Sequence, residues 1–146
     1  MRRAIVVLVA VLTLSATPSC SQPTGGQETP REGFQKFWSG FRQAALAGDK
    51  DKVASFAAFP FKTRGILDSD PVKAYDRASF TRIFDQLLDQ DPGLSREPGT
   101  MRRLIERTTT VTDKMLGTGG QTARVGVFTF QRMDGRWRFT MAYREE

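Results

Sequence analysis

The chain has 146 residues and 22 Lys and Arg against 16 Asp and Glu, a formal net charge of +6. It holds no histidine and one cysteine, Cys20. These counts exclude an internal disulfide, Ser-His-Asp and Cys-His catalysis, and the commonest metal ligand, and they leave room for one domain held by packing alone.

Arg2 and Arg3 lead into an apolar run over residues 4–16, followed by small residues up to Cys20. A charged start, an apolar middle and a small-residue exit form the layout of a secretory signal. Thirteen residues of helix rise only ~20 Å against a hydrocarbon core of ~30 Å, too short for an ordinary span. We expect residues 1–19 to be the signal. Thr17-Pro18-Ser19-Cys20 resembles the lipobox of bacterial lipoproteins. That resemblance implies acylation of Cys20, which becomes the mature N-terminus, and places the chain on a membrane facing the periplasm or the cell exterior. Ordinary cleavage after Ala16 or Ser19 is the alternative; it releases a soluble protein with a free thiol. Without Arg2 and Arg3, 20 basic side chains face 16 acidic ones, a net +4. Such a balance favours anionic headgroups or envelope polymers. An exported protein seldom meets nucleic acid, so none is expected as a partner.

Residues 20–28 read as a lipid-anchored tether. The stretch SQPTGGQE has two glycines, a proline and no large apolar residue, and eight such residues span ~15 Å on average. The domain is expected over residues 29–146. Thr29 caps a first helix, Pro30 suits its first position, and Glu32 completes a capping box. Phe34, Phe37, Trp38, Phe41 and Ala45 give that helix an aromatic face, and Gly48 ends it. Asp49 caps a second helix that turns Val53, Phe56 and Ala57 inward until Pro60 stops it. Residues 61–75 suggest two extended pieces around a turn. Asp76 starts a third helix with the stripe Phe80, Ile83, Phe84, Leu87 and Leu88, broken at Asp91-Pro92-Gly93. A short helical turn around residues 101–105 follows. Residues 107–112 have the Thr and Val content of a strand, and residues 117–121 a glycine-rich loop.

The C-terminal hairpin can be laid out residue by residue. Asp134-Gly135 is a strong two-residue turn signal. It sets Met133 opposite Arg136, Arg132 opposite Trp137, Phe130 opposite Phe139, Phe128 opposite Met141 and Gly126 opposite Tyr143. One face then carries Phe128, Phe130, Trp137, Phe139, Met141 and Tyr143. Val125, Val127, Thr129, Gln131, Arg138, Thr140 and Arg144 take the other.

Helical stripes and one aromatic sheet face must bury each other, which defines an α+β domain. The run Phe37-Trp38, Phe41, Ala45, Gly48-Asp49, then Phe59-Pro60-Phe61, the helix from Asp76 and the strand Gly135-Arg136-Trp137-Arg138-Phe139 resemble an NTF2-like domain. The resemblance implies an NTF2-like cone, with N-terminal helices packed on a curved antiparallel sheet. In enzymatic members the cone holds an aspartate base, but Asp68, Asp70 and Asp76 each suit a turn or a cap. Asp49-Lys50-Asp51-Lys52 reads as a charged first turn rather than a calcium loop. No metal or other cofactor is expected.

Trp38, Phe128, Phe130, Arg132, Trp137, Phe139, Met141 and Tyr143 form the candidate ligand pocket; a filled core is the competing reading of the same aromatics. Arg132 opposite Trp137 is either a cation–aromatic pair or the mouth of a pocket that receives an anionic head. Arg102, Arg103 and Arg107 are the densest basic cluster, and with Arg138 and Arg144 they suit an acidic partner or lipid surface. The leading expectation is a non-enzymatic domain that binds an envelope protein or a small apolar ligand. One alternative is a small isomerase or hydrolase using a lone carboxylate in an apolar cone pocket. The other is a homodimeric assembly module joined through the Val125, Val127 and Thr129 face.

Overall fold

A computed structural model describes residues 28–93 and 99–144. The expected signal, Cys20 and all of the tether but Glu28 lie outside the described residues. Among the described residues, four α-helices gather over one face of a five-stranded sheet, a two-layer α+β arrangement.

Helix α1 spans Pro30–Ala47. Thr29 Oγ1 accepts from the Glu32 amide while Glu32 Oε2 accepts from the Thr29 amide at 2.9 Å, completing the capping box. Gly48 closes the helix in the left-handed region. Helix α2, Lys50–Phe56, is capped by Asp49, and α3, Arg77–Asp89, by Asp76. Helix α4 covers Met101–Arg107.

Strand β1 runs over Ala57–Arg64, so Pro60 does not stop α2 as expected; the helix ends earlier, at Phe56. Phe56 is drawn against Phe37 of α1, with ring centroids 5.4 Å apart, and Ala57 pairs at once with Phe139. Pro60 falls where the β1–β5 register shifts between Ala57 and Lys62, a stretch that needs no amide donor. Strand β2 is Lys73–Tyr75, antiparallel to β1, matching the expected pair of extended pieces.

Residues 108–112 form no strand, against the expectation from their composition. Side chains of α1 take over their backbone groups instead. Trp38 Nε1 donates to Thr108 O at 2.7 Å, Gln35 Nε2 to Thr109 O at 3.1 Å, and Gln35 Oε1 accepts from the Val111 amide at 2.6 Å. With those groups satisfied, no neighbouring strand is required. Strands β3 (Thr122–Val125), β4 (Phe128–Met133) and β5 (Arg136–Tyr143) follow.

The sheet order is β2-β1-β5-β4-β3. It is mixed rather than wholly antiparallel, because β1 lies parallel to β5. The chain leaves β1 and returns to its edge only after β2, α3, α4, β3 and β4, which permits the same direction. The β4–β5 hairpin turns at Asp134 (φ 49°) and Gly135 (φ 76°), the two positive values a tight primed turn needs. The expected pairs hold from Met133–Arg136 to Phe130–Phe139. There a bulge inserts one residue: Thr129 faces Met141 and Phe128 faces Ala142. The β5 residues beyond it change face. Ala142 turns inward and is fully buried, while Met141 and Tyr143 turn out and stay half-buried. Val125 also moves from its expected side, since it pairs with Phe128 and shares that inward face.

The core is aromatic and closed. Phe34, Trp38 and Phe41 of α1, Phe61 of β1, Phe80 of α3, and Phe128, Phe130 and Phe139 of the sheet are all fully buried. Phe41 lies at its centre, with Phe139 and Phe130 centroids at 5.2 and 5.3 Å. The aromatic stripe of α1 thus fits the inward face of β4 and β5.

Candidate functional site: two grooves at opposite ends of the sheet

The expected pocket residues are divided among three places. Trp38, Phe128, Phe130 and Phe139 form the filled core, with the one polar atom of Trp38 satisfied by Thr108 O. Met141 lies on the outer sheet face. Arg132 and Trp137 line one open groove, and Tyr143 lines another. The bulge at Thr140 explains the departure of Met141 and Tyr143, and the fit of α1 explains the filling of the rest.

The first groove, about 380 Å³, lies between the start of α1, the end of α2 and the β4–β5 turn. Its cations are Lys36, Arg132, Arg136 and Arg138, and its one acid is Glu28. Glu28 is occupied by an ion pair with Lys36, and its hydrogen bond holds the Lys36 ammonium above the usual lysine range. Arg132 Nε donates to Gly135 O at 3.4 Å, bending back to its own turn rather than stacking on Trp137. Arg138 Nη1 donates to Ser55 O at 2.9 Å. The Arg136 side chain is exposed and has no hydrogen bond or ion pair among the described residues. The Trp137 indole N–H likewise finds no acceptor there. Gly33 keeps the space above the indole open: a Cβ at that position would lie 3.5 Å from Trp137 Nε1.

The second groove, about 530 Å³, lies at the other end of β5. Ile66, Val127 and Tyr143 give it apolar walls, and Asp68, Gln90, Asp91, Arg124 and Arg144 its polar margin. Arg124 sits over the Tyr143 ring, 4.6 Å from its centroid, so among the described residues the cation–aromatic pair is here rather than at Arg132. Gln90 Nε2 donates to Tyr143 O at 2.9 Å and Arg144 Nη2 to Gln86 Oε1 at 2.8 Å, which tie the strand end to the end of α3. Ile66 and Leu67 are each 65% exposed, and Val72 in the same loop 56%.

Other candidates have local structural work. Asp76 accepts from the Ser79 amide, and this bond holds its carboxyl below the usual range. The Thr29 amide, then its hydroxyl, do the same for Glu32. Asp70 closes a turn by accepting from the Leu67 amide, and Asp68 pairs with Arg64. None of the described carboxylates is buried. Arg102, on α4, pairs with Asp89. Val125 and Val127 are 3% and 8% exposed. No described helix is long and apolar enough to cross a membrane.

Gly33, Lys36, Arg136 and Ile66 line the grooves without having stood out as site residues in the sequence, and Val127 stood out only as part of the expected dimer face. Gly33 had a signal: a glycine inside a strong helical pattern costs the helix stability and so asks for a local reason. No protein-family model, curated protein or solved structure matches the chain.

Proposed function

We propose that this is an exported protein anchored through acylated Cys20, whose NTF2-like domain is a binding module rather than an enzyme. The ligand is a small, largely apolar molecule, or an apolar segment of an envelope protein, taken up by the groove at Ile66, Val127 and Tyr143. The observation that carries this reading is the combination of a closed core with an open, partly apolar groove at one end of the sheet. Apolar walls give such a site its affinity, and a few polar groups at the margin orient what enters. A lone catalytic carboxylate calls for burial in an apolar pocket and a raised pKa. The perturbed carboxyls, Glu32 and Asp76, are displaced downward by capping bonds.

Native mass spectrometry of the full-length product extracted from bacterial membranes tests both parts. We expect a chain beginning at Cys20 with the added acyl mass, carrying a non-covalent adduct that Ile66→Glu removes. A Cys20→Ser chain should leave the membrane fraction. An unmodified chain in the soluble fraction overturns the anchor. An acylated chain without an adduct, or with one indifferent to Ile66→Glu, overturns the groove assignment.

A further inference from the structure

We propose that the groove between α1, α2 and the β4–β5 turn docks the phosphodiester headgroups of an anionic membrane surface. The choice of a lipid source rests on the anchored reading above. Three observations converge on it.

The first is charge. The one acid of the groove, Glu28, is already committed to Lys36. Arg132, Arg136 and Arg138 are left facing the same space without a carboxylate among the groove residues to offset them. Each guanidinium presents five N–H donors, and Arg132 and Arg138 each spend one on a backbone carbonyl. The remaining donors suit the paired oxygens of a phosphodiester.

The second is the Trp137 indole. Its ring is packed against Phe34, with centroids 4.8 Å apart, and its N–H opens on the groove without an acceptor. A tryptophan with an apolar body in the core and a donor at the opening suits the boundary between acyl chains and headgroups. Phe37 supplies a further apolar wall. The absence of a side chain at Gly33 keeps the approach open.

The third is position. Glu28 lines the groove, so the chain arriving from Cys20 enters the domain beside these cations. Eight residues fully extended reach no more than ~29 Å. An acylated Cys20 therefore confines the groove to that distance of the bilayer and makes its contact with the surface, where each basic side chain feels anionic headgroups, an intramolecular step. Free phosphate or an acidic polymer would bind the same donors, but neither is brought there by the chain itself.

The test uses the full-length acylated product reconstituted into vesicles of phosphatidylcholine alone, or of equal parts phosphatidylcholine and phosphatidylglycerol. Flotation reports attachment and acrylamide quenching of tryptophan reports the groove. Trp38 is fully buried, whereas Trp137 keeps 7% of its surface exposed and lines the groove, so the quenchable emission is assigned to Trp137 and checked with Trp137→Phe. We expect flotation with both vesicles and loss of quenching only with phosphatidylglycerol. Arg136→Glu should restore quenching, whereas Arg103→Glu, an equal charge change outside the groove, should not. Raised salt should restore it as well.

Flotation with both vesicles but equal quenching overturns the headgroup site and leaves the anchor intact. Failure to float with phosphatidylcholine overturns the anchor. In that case, protection by phosphatidylglycerol that Arg136→Glu abolishes still supports the groove, and its absence overturns it. Protection by inorganic phosphate at constant ionic strength, equal to that from phosphatidylglycerol, assigns the site to soluble phosphate and overturns the lipid source.

Discussion

Phe41 touches rings from every layer of the core: Trp38 beside it on α1, Phe84 on α3, and Phe128, Phe130 and Phe139 on the sheet. Truncating it removes apolar contact and leaves a cavity that rigid aromatic neighbours cannot fill. Phe41→Ala should cost ~3–5 kcal/mol, read as a lowered urea midpoint. Gly33 offers the opposite case. It sits inside α1, where glycine disfavours the helix relative to alanine, and its notional Cβ meets only side-chain atoms at ordinary contact distance. Gly33→Ala should therefore raise stability by ~0.5–1 kcal/mol in the same measurement. A gain there separates folding from the groove: the residue that best suits the helix is not the one that leaves most room over Trp137. If Gly33→Ala destabilises instead, the groove wall is less tolerant than its geometry indicates.

The register of β5 decides which of its residues face the core, and neighbouring residues give opposite expectations. Met141→Lys places a charge on the outer face, where the long side chain reaches water, and should change stability by no more than ~0.5 kcal/mol. Ala142→Lys drives an amine into the fully buried core and should abolish cooperative unfolding at room temperature, seen by circular dichroism. A hairpin without the bulge reverses the two results, so the pair of variants reports the register directly. This is also where the sequence ceases to be legible. Asp134-Gly135 sets the pairing correctly for four residues of each strand, because turn chemistry and alternation agree there. At Thr140 no glycine or proline announces the extra residue. The fit of Phe128 and Ala142 to the helices selects the bulge, and that fit depends on distant chain. Residues 108–112 fail for a related reason: their threonines favour a strand, but Gln35 and Trp38 reach their backbone first. The helix caps and helical stripes were readable because each is settled within a few residues. The grooves were not, since they are made by the ends of elements far apart in the chain.

At the scale of the whole molecule, the two grooves occupy opposite ends of β5, one basic and beside residue 28, the other partly apolar. A chain held at its N-terminal side would present the second groove away from the attachment point. The same molecule has a pH dependence set by what it lacks. Without histidine, no side chain of ordinary pKa in the domain changes charge between about pH 5 and 8. The urea midpoint should be flat across that interval. On the acid side the sign is fixed by Glu32 and Asp76, whose folded carboxyls titrate below their ordinary values. Their stabilising contribution is complete above the ordinary carboxyl range and is lost as the pH falls through the depressed values. Protonation of the other acids then leaves the many arginines and lysines without opposing charge, and self-repulsion adds to the loss. The midpoint should fall steeply below about pH 4, and more gently in Glu32→Gln, which has already lost one shifted carboxyl. A midpoint that moves between pH 5 and 8 would place the controlling group outside this scheme, with the N-terminal amine or Cys20 thiol of an unprocessed chain the first to examine.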